Sequence, residues 1–276
     1  MSSFQKTVKY GAITFAVLLT VIILTGVVSL ASGVAFVLGD EQGEGIDFNK
    51  EFLDVEKLDI SHSLGKLNIK TGDGFRVEAT NVSEKFSANV VDGTLIIDET
   101  DFFNVFFTSG FGTTRNKSVI TIYVPEDFNA KSIEIDGGVG DIYMEDISSD
   151  FLSVDAGVGE IHGRNITSMK VNADSGVGDI DLVDVDFSNM TLDGGIGDIT
   201  IEGIILGKSD IDCGLGTVNL QIRGLREEYA LRVDSGLGRV KVNDKKVSGE
   251  YQDNYRAEST IVIDGGIGDV DIDFTH

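Results

Sequence analysis

Asp136-Gly137-Gly138-Val139-Gly140-Asp141-Ile142 is the first of a set of near-copies. The pattern returns from Asp155, Asp174, Asp193 and Asp212, each time after 19 residues, and again from Asp234 and Asp264 after steps of 22 and 30. A fixed period near 20 residues marks a stacked repeat, in which each unit buries its apolar face only against its neighbours. Few sequence features restrict a fold more than this.

The type of unit follows from the apolar columns. Within the 19-residue frame they read Ile133, Leu152, Val171, Met190, and two residues on Ile135, Val154, Ala173, Leu192, Ile211. After the glycine–acid corner comes Ile142, Ile161, Ile180, Ile199, Val218. Alternation with period two in short β-branched runs, broken by glycine, specifies strands and not helices. The expected fold is all-β, a single-chain β-solenoid (β-helix) of ~19-residue rungs stacked about 4.8 Å apart. Gly138 and Gly140, with Gly157, Gly159, Gly176, Gly178, Gly195, Gly197, Gly214 and Gly216, are the structural corner residues, because glycine permits positive φ and close backbone stacking. The apolar residue between each pair (Val139, Val158, Val177, Ile196, Leu215) is expected to point inward. So is the small column Gly137, Ala156, Ser175, Gly194, Cys213. Cys213, the one cysteine, therefore reads as a buried inert thiol, and no intramolecular disulfide is possible.

Charge divides the chain. Lys6 and Lys9 are the only charged residues among the first 39, so residues 40–276 carry −26 against −24 for the whole. Such a surface argues against nucleic acid as a partner. Tyr10 to Leu38 is a long uncharged apolar run, with Lys6 and Lys9 before it and Asp40, Glu41 and Glu44 after it. About 20 residues cross a bilayer, and the flanking charges place the N-terminus inside. The run exceeds the 7–15 residues of a signal-peptide core. The expectation is one N-terminal transmembrane helix acting as an uncleaved signal anchor; a cleaved signal peptide is the competing reading. The expected organisation is a cytoplasmic N-terminus (1–9), the transmembrane helix (10–38), a linker (39–50) and an extracellular solenoid domain (51–276) on a single-pass plasma-membrane protein.

Leu58 to Ile69 (LDISHSLGKLNI) is a degenerate rung, with Ser61 in place of the aspartate. Residues 101–117 interrupt the pattern and hold Phe102, Phe103, Phe106, Phe107 and Phe111. Two readings fit them: padding for the core, or an exposed aromatic patch for a partner or the bilayer surface. Arg223 to Lys246 is a basic island on an acidic molecule, expected to neutralise nearby carboxylates.

Gly-x-Gly here recurs without a following helix, which excludes a dinucleotide site. His62, His162 and His276 have no ligand spacing. The aspartate column Asp136, Asp155, Asp174, Asp193, Asp212 is the most chemically suggestive constellation, with Asp141, Glu160, Asp179 and Asp198 as a second column. Carboxylates stacked at rung spacing repel by roughly 1 kcal/mol even in water. Either each accepts backbone N–H bonds at its own glycine corner, or calcium bridges them. No cofactor is expected on the first reading, and calcium on the second. The acids are too regular for one pair to stand out as a glycosidase acid and base, so no catalytic residue is assigned. A polysaccharide-processing β-helix remains the enzyme alternative.

The membrane run, the degenerate first rung LDISHSLGKLNI, the strand–proline bridge ITIYVPEDF and the stacked D-G-G-V-G-D-I copies together resemble the putative adhesin domain family of bacterial β-strand-repeat proteins, over about residues 50–276. The resemblance implies a membrane-anchored protein of the bacterial cell envelope with no catalytic residues. Its partner would be an extracellular protein or an envelope polymer.

Overall fold

The computed structural model describes residues 45–99, 118–254 and 257–275. Among them the regular structure is strand, apart from one 3-10 turn at Arg226–Glu228. No helix of the described residues is long and apolar enough to cross a membrane. The Tyr10–Leu38 run, residues 39–44 of the expected linker, the phenylalanines of 101–117 and His276 lie outside the described residues; the rest of that linker is not a linker, because Ile46–Glu51 is a strand paired antiparallel to Arg76–Val82.

One coil shows how the repeat works. Ser132–Val139 forms a first face, with Ile133 and Ile135 inward. Gly140 and Asp141 turn the chain into a second face, where Ile142 and Met144 point inward. Asp146, at φ 55°, turns it again, and Ile147 and Ser149 line a third face. The next coil starts 19 residues on, in parallel register: Ile133 opposite Leu152, Ile142 opposite Ile161, Ile147 opposite Ile166. Backbone groups along the three faces thus find partners one coil away, and the inward faces close on a single apolar core.

The second corner has its own chemistry. Asp146, Asn165 and Asp184 all have φ near 55°, a left-handed conformation that Asx residues tolerate far better than most. The Asn165 side-chain amide also donates to Asp146 Oδ1 at 2.7 Å.

The end coils do not follow sequence order. Lys57–Gly72 is the first coil in sequence, yet Thr94–Glu99 and Ser118–Pro125 stack on its outer side and Ser132–Val139 on its inner side. At the other end the last segments, Ser259–Ile267 and Val270–Thr275, lie between Lys208–Leu215 with Val218–Arg223 and Tyr229–Leu237 with Val240–Val242. The copies at Asp234 and Asp264 are therefore exchanged in space. Both outermost coils carry antiparallel strands on their free edges. Ser87–Val91 and Arg76–Val82 cover one end; Glu250–Asp253 and Lys245–Val247 cover the other. An exposed parallel edge invites pairing with another chain, and repeat stacks need such caps.

The basic island meets acids as expected. Arg223 pairs with Asp184, Arg226 with Asp253, Arg239 with Asp269 and Lys241 with Asp271. These are surface pairs, worth about 0–1 kcal/mol each.

Candidate functional site: the glycine edge

The corner after the first face gathers the residues that the repeat keeps but the core does not use. Its first column, in spatial order, is Asp98, Ser61, Asp136, Asp155, Asp174, Asp193, Asp212, Asp264, Asp234. Its second is Leu64, Val139, Val158, Val177, Ile196, Leu215, Ile267, Leu237. Backbone bonds at the turn stack a third column, running Asp141, Glu160, Asp179, Asp198, Thr217, Asp269, Arg239.

The aliphatic column points out, against the expectation from its character. From Val139 to Leu237 the seven side chains are between 39 and 69% exposed. The small column behind it does point in: Ala156, Ser175 and Cys213 are buried. Volume keeps that inward column small. The inner corner is filled by the first isoleucine of the second face; a Cβ on Gly137 would lie 3.0 Å from Ile142 Cδ1, and one on Gly194 2.8 Å from Ile199 Cδ1.

The glycines permit the turn. Gly140 sits at φ 149°, in a region that L side chains avoid, and the equivalent Gly159, Gly178, Gly197 and Gly216 repeat it. The preceding glycines, such as Gly157, lie against the coil below, where a Cβ would be 2.5 Å from Gly138 O. Backbone therefore packs on backbone along the whole edge.

The two acid columns differ. In the third column the carboxylates bridge coils: Asp141 accepts from the Glu160 N–H (3.2 Å), Asp179 from Asp198 N–H (2.8 Å), Asp198 from Thr217 N–H (2.7 Å) and Asp269 from Arg239 N–H (2.9 Å). The acceptor serves the next coil and not its own corner. In the first column, burial pushes the Asp155, Asp174 and Asp264 carboxyls above the usual carboxylate range, and neighbouring aspartates push the same way. Asp212, whose side chain is exposed but lies against the stack, is pushed furthest, to about 6, by partial desolvation first and then by Asp264, Asp193 and Asp210.

A raised carboxyl binds more protons folded than unfolded, so it penalises folding above its folded pKa. The penalty fades as pH falls from about 6 toward the ordinary 3.8. Asp269, lowered by Arg239, works the other way but only below that window. The melting temperature is therefore expected to rise on going from pH 7.5 to 5. Asp212→Asn should raise it at pH 7.5 and flatten the rise. Solvent screening at this exposed side chain limits the gain to under about 1 kcal/mol, or about 2–4 °C. Melts at the two pH values check this; a fall on acidification contradicts it.

Among the described residues no three His, Cys, Asp or Glu side chains gather where they could hold one metal ion. Cys213 is buried with its thiol pKa pushed up by that burial. His162 stacks on Tyr143 and meets Glu160 at 2.8 Å on the surface.

One group has no counterpart in the sequence reading. His62 occupies the inward corner position of the second coil, and its Nδ1 lies 2.5 Å from Glu99 Oε2. Ser118 Oγ donates to the same carboxylate at 3.2 Å, and Ser63 Oγ to the Glu99 carbonyl at 2.7 Å. His62, Glu99 and Ser118 are all buried. They tie together the two stems on either side of residues 100–117.

The family model of Toastrack DUF4097 matches residues 55–266. No curated protein matches the sequence. Among solved structures, a Bacteroides fragilis protein named a "putative adhesin" is 18% identical, covering 82% of this chain and 95% of its own, with a TM-score of 0.43. A Parabacteroides distasonis "putative lipid binding protein" is 14% identical, with 83% and 97% covered and a TM-score of 0.44. A Clostridium sporogenes "putative cell adhesion protein" is 18% identical, with 83% and 99% covered and a TM-score of 0.35. On the family match, which spans most of the stack, the chain belongs to the Toastrack DUF4097 family.

Proposed function

We propose that this is a non-enzymatic protein of the bacterial cell envelope, anchored by a helix over Tyr10–Leu38, which presents its acidic solenoid outside the cell for adhesion or for binding a protein or polymer. The observation that carries this is the glycine edge. Most coils add acid, aliphatic side chain and acid to one outward line, and the core uses none of them. A surface repeated in this way suits an extended contact better than a single reaction centre.

Protease added to intact cells expressing the full chain is expected to digest residues 45–276. Cells expressing only residues 1–44 are expected to be retained severalfold less on coated surfaces under flow. A solenoid protected from external protease, with unchanged attachment, overturns the proposal.

A calcium-binding structural role for Asp136, Asp155, Asp174, Asp193 and Asp212 is the second reading. Its support is the stacking of these five carboxylates one per coil in parallel register. A ligand held only by the folded state raises stability by RT ln(1 + [L]/Kd), so a calcium-specific gain over EDTA and magnesium separates this reading from the first.

A further inference from the structure

The glycine edge has the chemistry of one kind of partner. Seven aliphatic side chains, Val139, Val158, Val177, Ile196, Leu215, Ile267 and Leu237, follow one another at one per coil. Six steps of about 4.8 Å make a strip about 29 Å long. At their exposures the side chains offer roughly 500 Å2, the size at which an apolar patch on a soluble surface marks an interaction site. Acid columns run along both sides. Asp136 to Asp212 lie three residues before the strip, and Asp141, Glu160, Asp179 and Asp198 two residues after it.

We infer that this edge binds a cationic amphipathic α-helix of another polypeptide, laid along the solenoid axis. Three arguments converge. The helix repeats its apolar face every turn, at about 5.4 Å, against about 4.8 Å per coil. Aligned at its midpoint, the helix drifts by about 1.8 Å at either end of the six steps, under half a coil spacing, so successive turns stay near successive aliphatic side chains. An extended strand places same-face residues about 6.6 Å apart and loses register within two coils. Lysine or arginine on both flanks of the helix would reach the two acid columns, which stack like charges coil upon coil, and would relieve that repulsion. The same charge excludes other occupants. Two copies meeting edge to edge would oppose like carboxylates at every coil, and an anionic bilayer would meet the same repulsion.

This rests on the envelope-interaction proposal and names its partner class. The test uses the full chain in zwitterionic nanodiscs, with empty nanodiscs as the blank. The probe is a labelled 18-residue helix with leucine at i, i+3, i+4 and i+7 and lysine on both sides of that stripe. One control keeps its composition with the order scrambled; another carries glutamate for lysine. Binding is read by fluorescence anisotropy. The patterned lysine probe is expected to bind at least tenfold more tightly than the scrambled one, and the glutamate probe not at all. The triple variant Val158→Ser, Val177→Ser, Ile196→Ser, whose melt should stay close to native because all three side chains face solvent, is expected to weaken binding at least tenfold. Asp174→Asn with Asp193→Asn is expected to weaken it and reduce its salt dependence.

Equal binding of the scrambled probe reduces the edge to nonspecific charge attraction and overturns the inference. So does native affinity in the triple-serine variant, or no binding by the patterned probe. Association of the chain with itself that is lost in the triple-serine variant assigns the edge to a second copy instead. Cell attachment separates this outcome from the wider proposal: attachment that persists in the triple-serine variant overturns the helix partner and leaves the envelope role standing.

Discussion

A chain ended after residue 257 is expected to lose cooperative folding. Ser259–Ile267 and Val270–Thr275 are not a terminal flap; they are an interior coil, paired in parallel on both sides. Removing them takes Ile261, Ile263, Val270 and Ile272 out of the core, each no more than 1% exposed. At about 1.5–3 kcal/mol per buried side chain the loss is about 6–12 kcal/mol, the size of a whole domain's stability. It also leaves the Tyr229–Leu237 coil with no parallel partner. Thermal melts followed by circular dichroism compare the full and shortened chains. The expected result is no cooperative transition in the shortened chain. A shortened chain melting within about 5 °C of the full one would show that Tyr229–Leu237 can dock directly on Lys208–Leu215, and would contradict the exchanged coil order.

The second large effect is Gly159→Ala. Its φ of 146° is strained for any L side chain, and the added Cβ would fall well inside contact of the Gly140 carbonyl in the coil below. That carbonyl belongs to a packed turn fixed by the Gly140 N–H bond to Val158 O at 2.8 Å, so it cannot retreat without breaking the stack. Backbone strain of about 1–3 kcal/mol and overpacking of about 1–3 kcal/mol add to a cost of about 2–6 kcal/mol. Gly74→Ala is the matched control: nothing lies within 4 Å of its Cβ, and the change is expected to stay within about 0.5 kcal/mol. Denaturant melts of both variants read the difference. Equal stabilities would mean that the edge accommodates a methyl group at every coil.

Much of the architecture could be read from the residues. The columns Ile135–Val154–Ala173–Leu192–Ile211 and Ile142–Ile161–Ile180–Ile199–Val218 are buried ladders, as their period-two setting required. The degenerate rung at Leu58–Ile69 pairs in register with Ser132–Val139 and Ile142–Val158. Three things were not legible, each for a physical reason. The outward turn of Val139 and its equivalents belongs to the backbone at the glycine turn, which hydropathy does not record. The steps of 22 and 30 announce copies at Asp234 and Asp264 but not which copy stacks on Asp212, because either copy offers the same apolar columns to the coil at Asp212. His62, Glu99 and Ser118 lie in three segments and meet only because the coil built from Thr94–Glu99 and Ser118–Pro125 stacks outside Lys57–Gly72. The second corner was visible but unread: Asp146, Asn165 and Asp184 recur at the same 19-residue step, each just before a branched apolar residue.

The edge turns its aliphatic column out while the small column behind it turns in. Thiol labelling tests it directly. In a Cys213→Ser background, a maleimide is to be reacted with Val177→Cys and, separately, with Ala173→Cys, alongside the native chain with its Cys213. Val177→Cys is expected to label at close to the rate of the unfolded chain. Ala173→Cys and native Cys213 must wait for opening of the stack, and should label at least about a thousandfold more slowly. A Val177→Cys thiol as protected as Cys213 would put the aliphatic column inside the solenoid and remove the edge as an interaction surface.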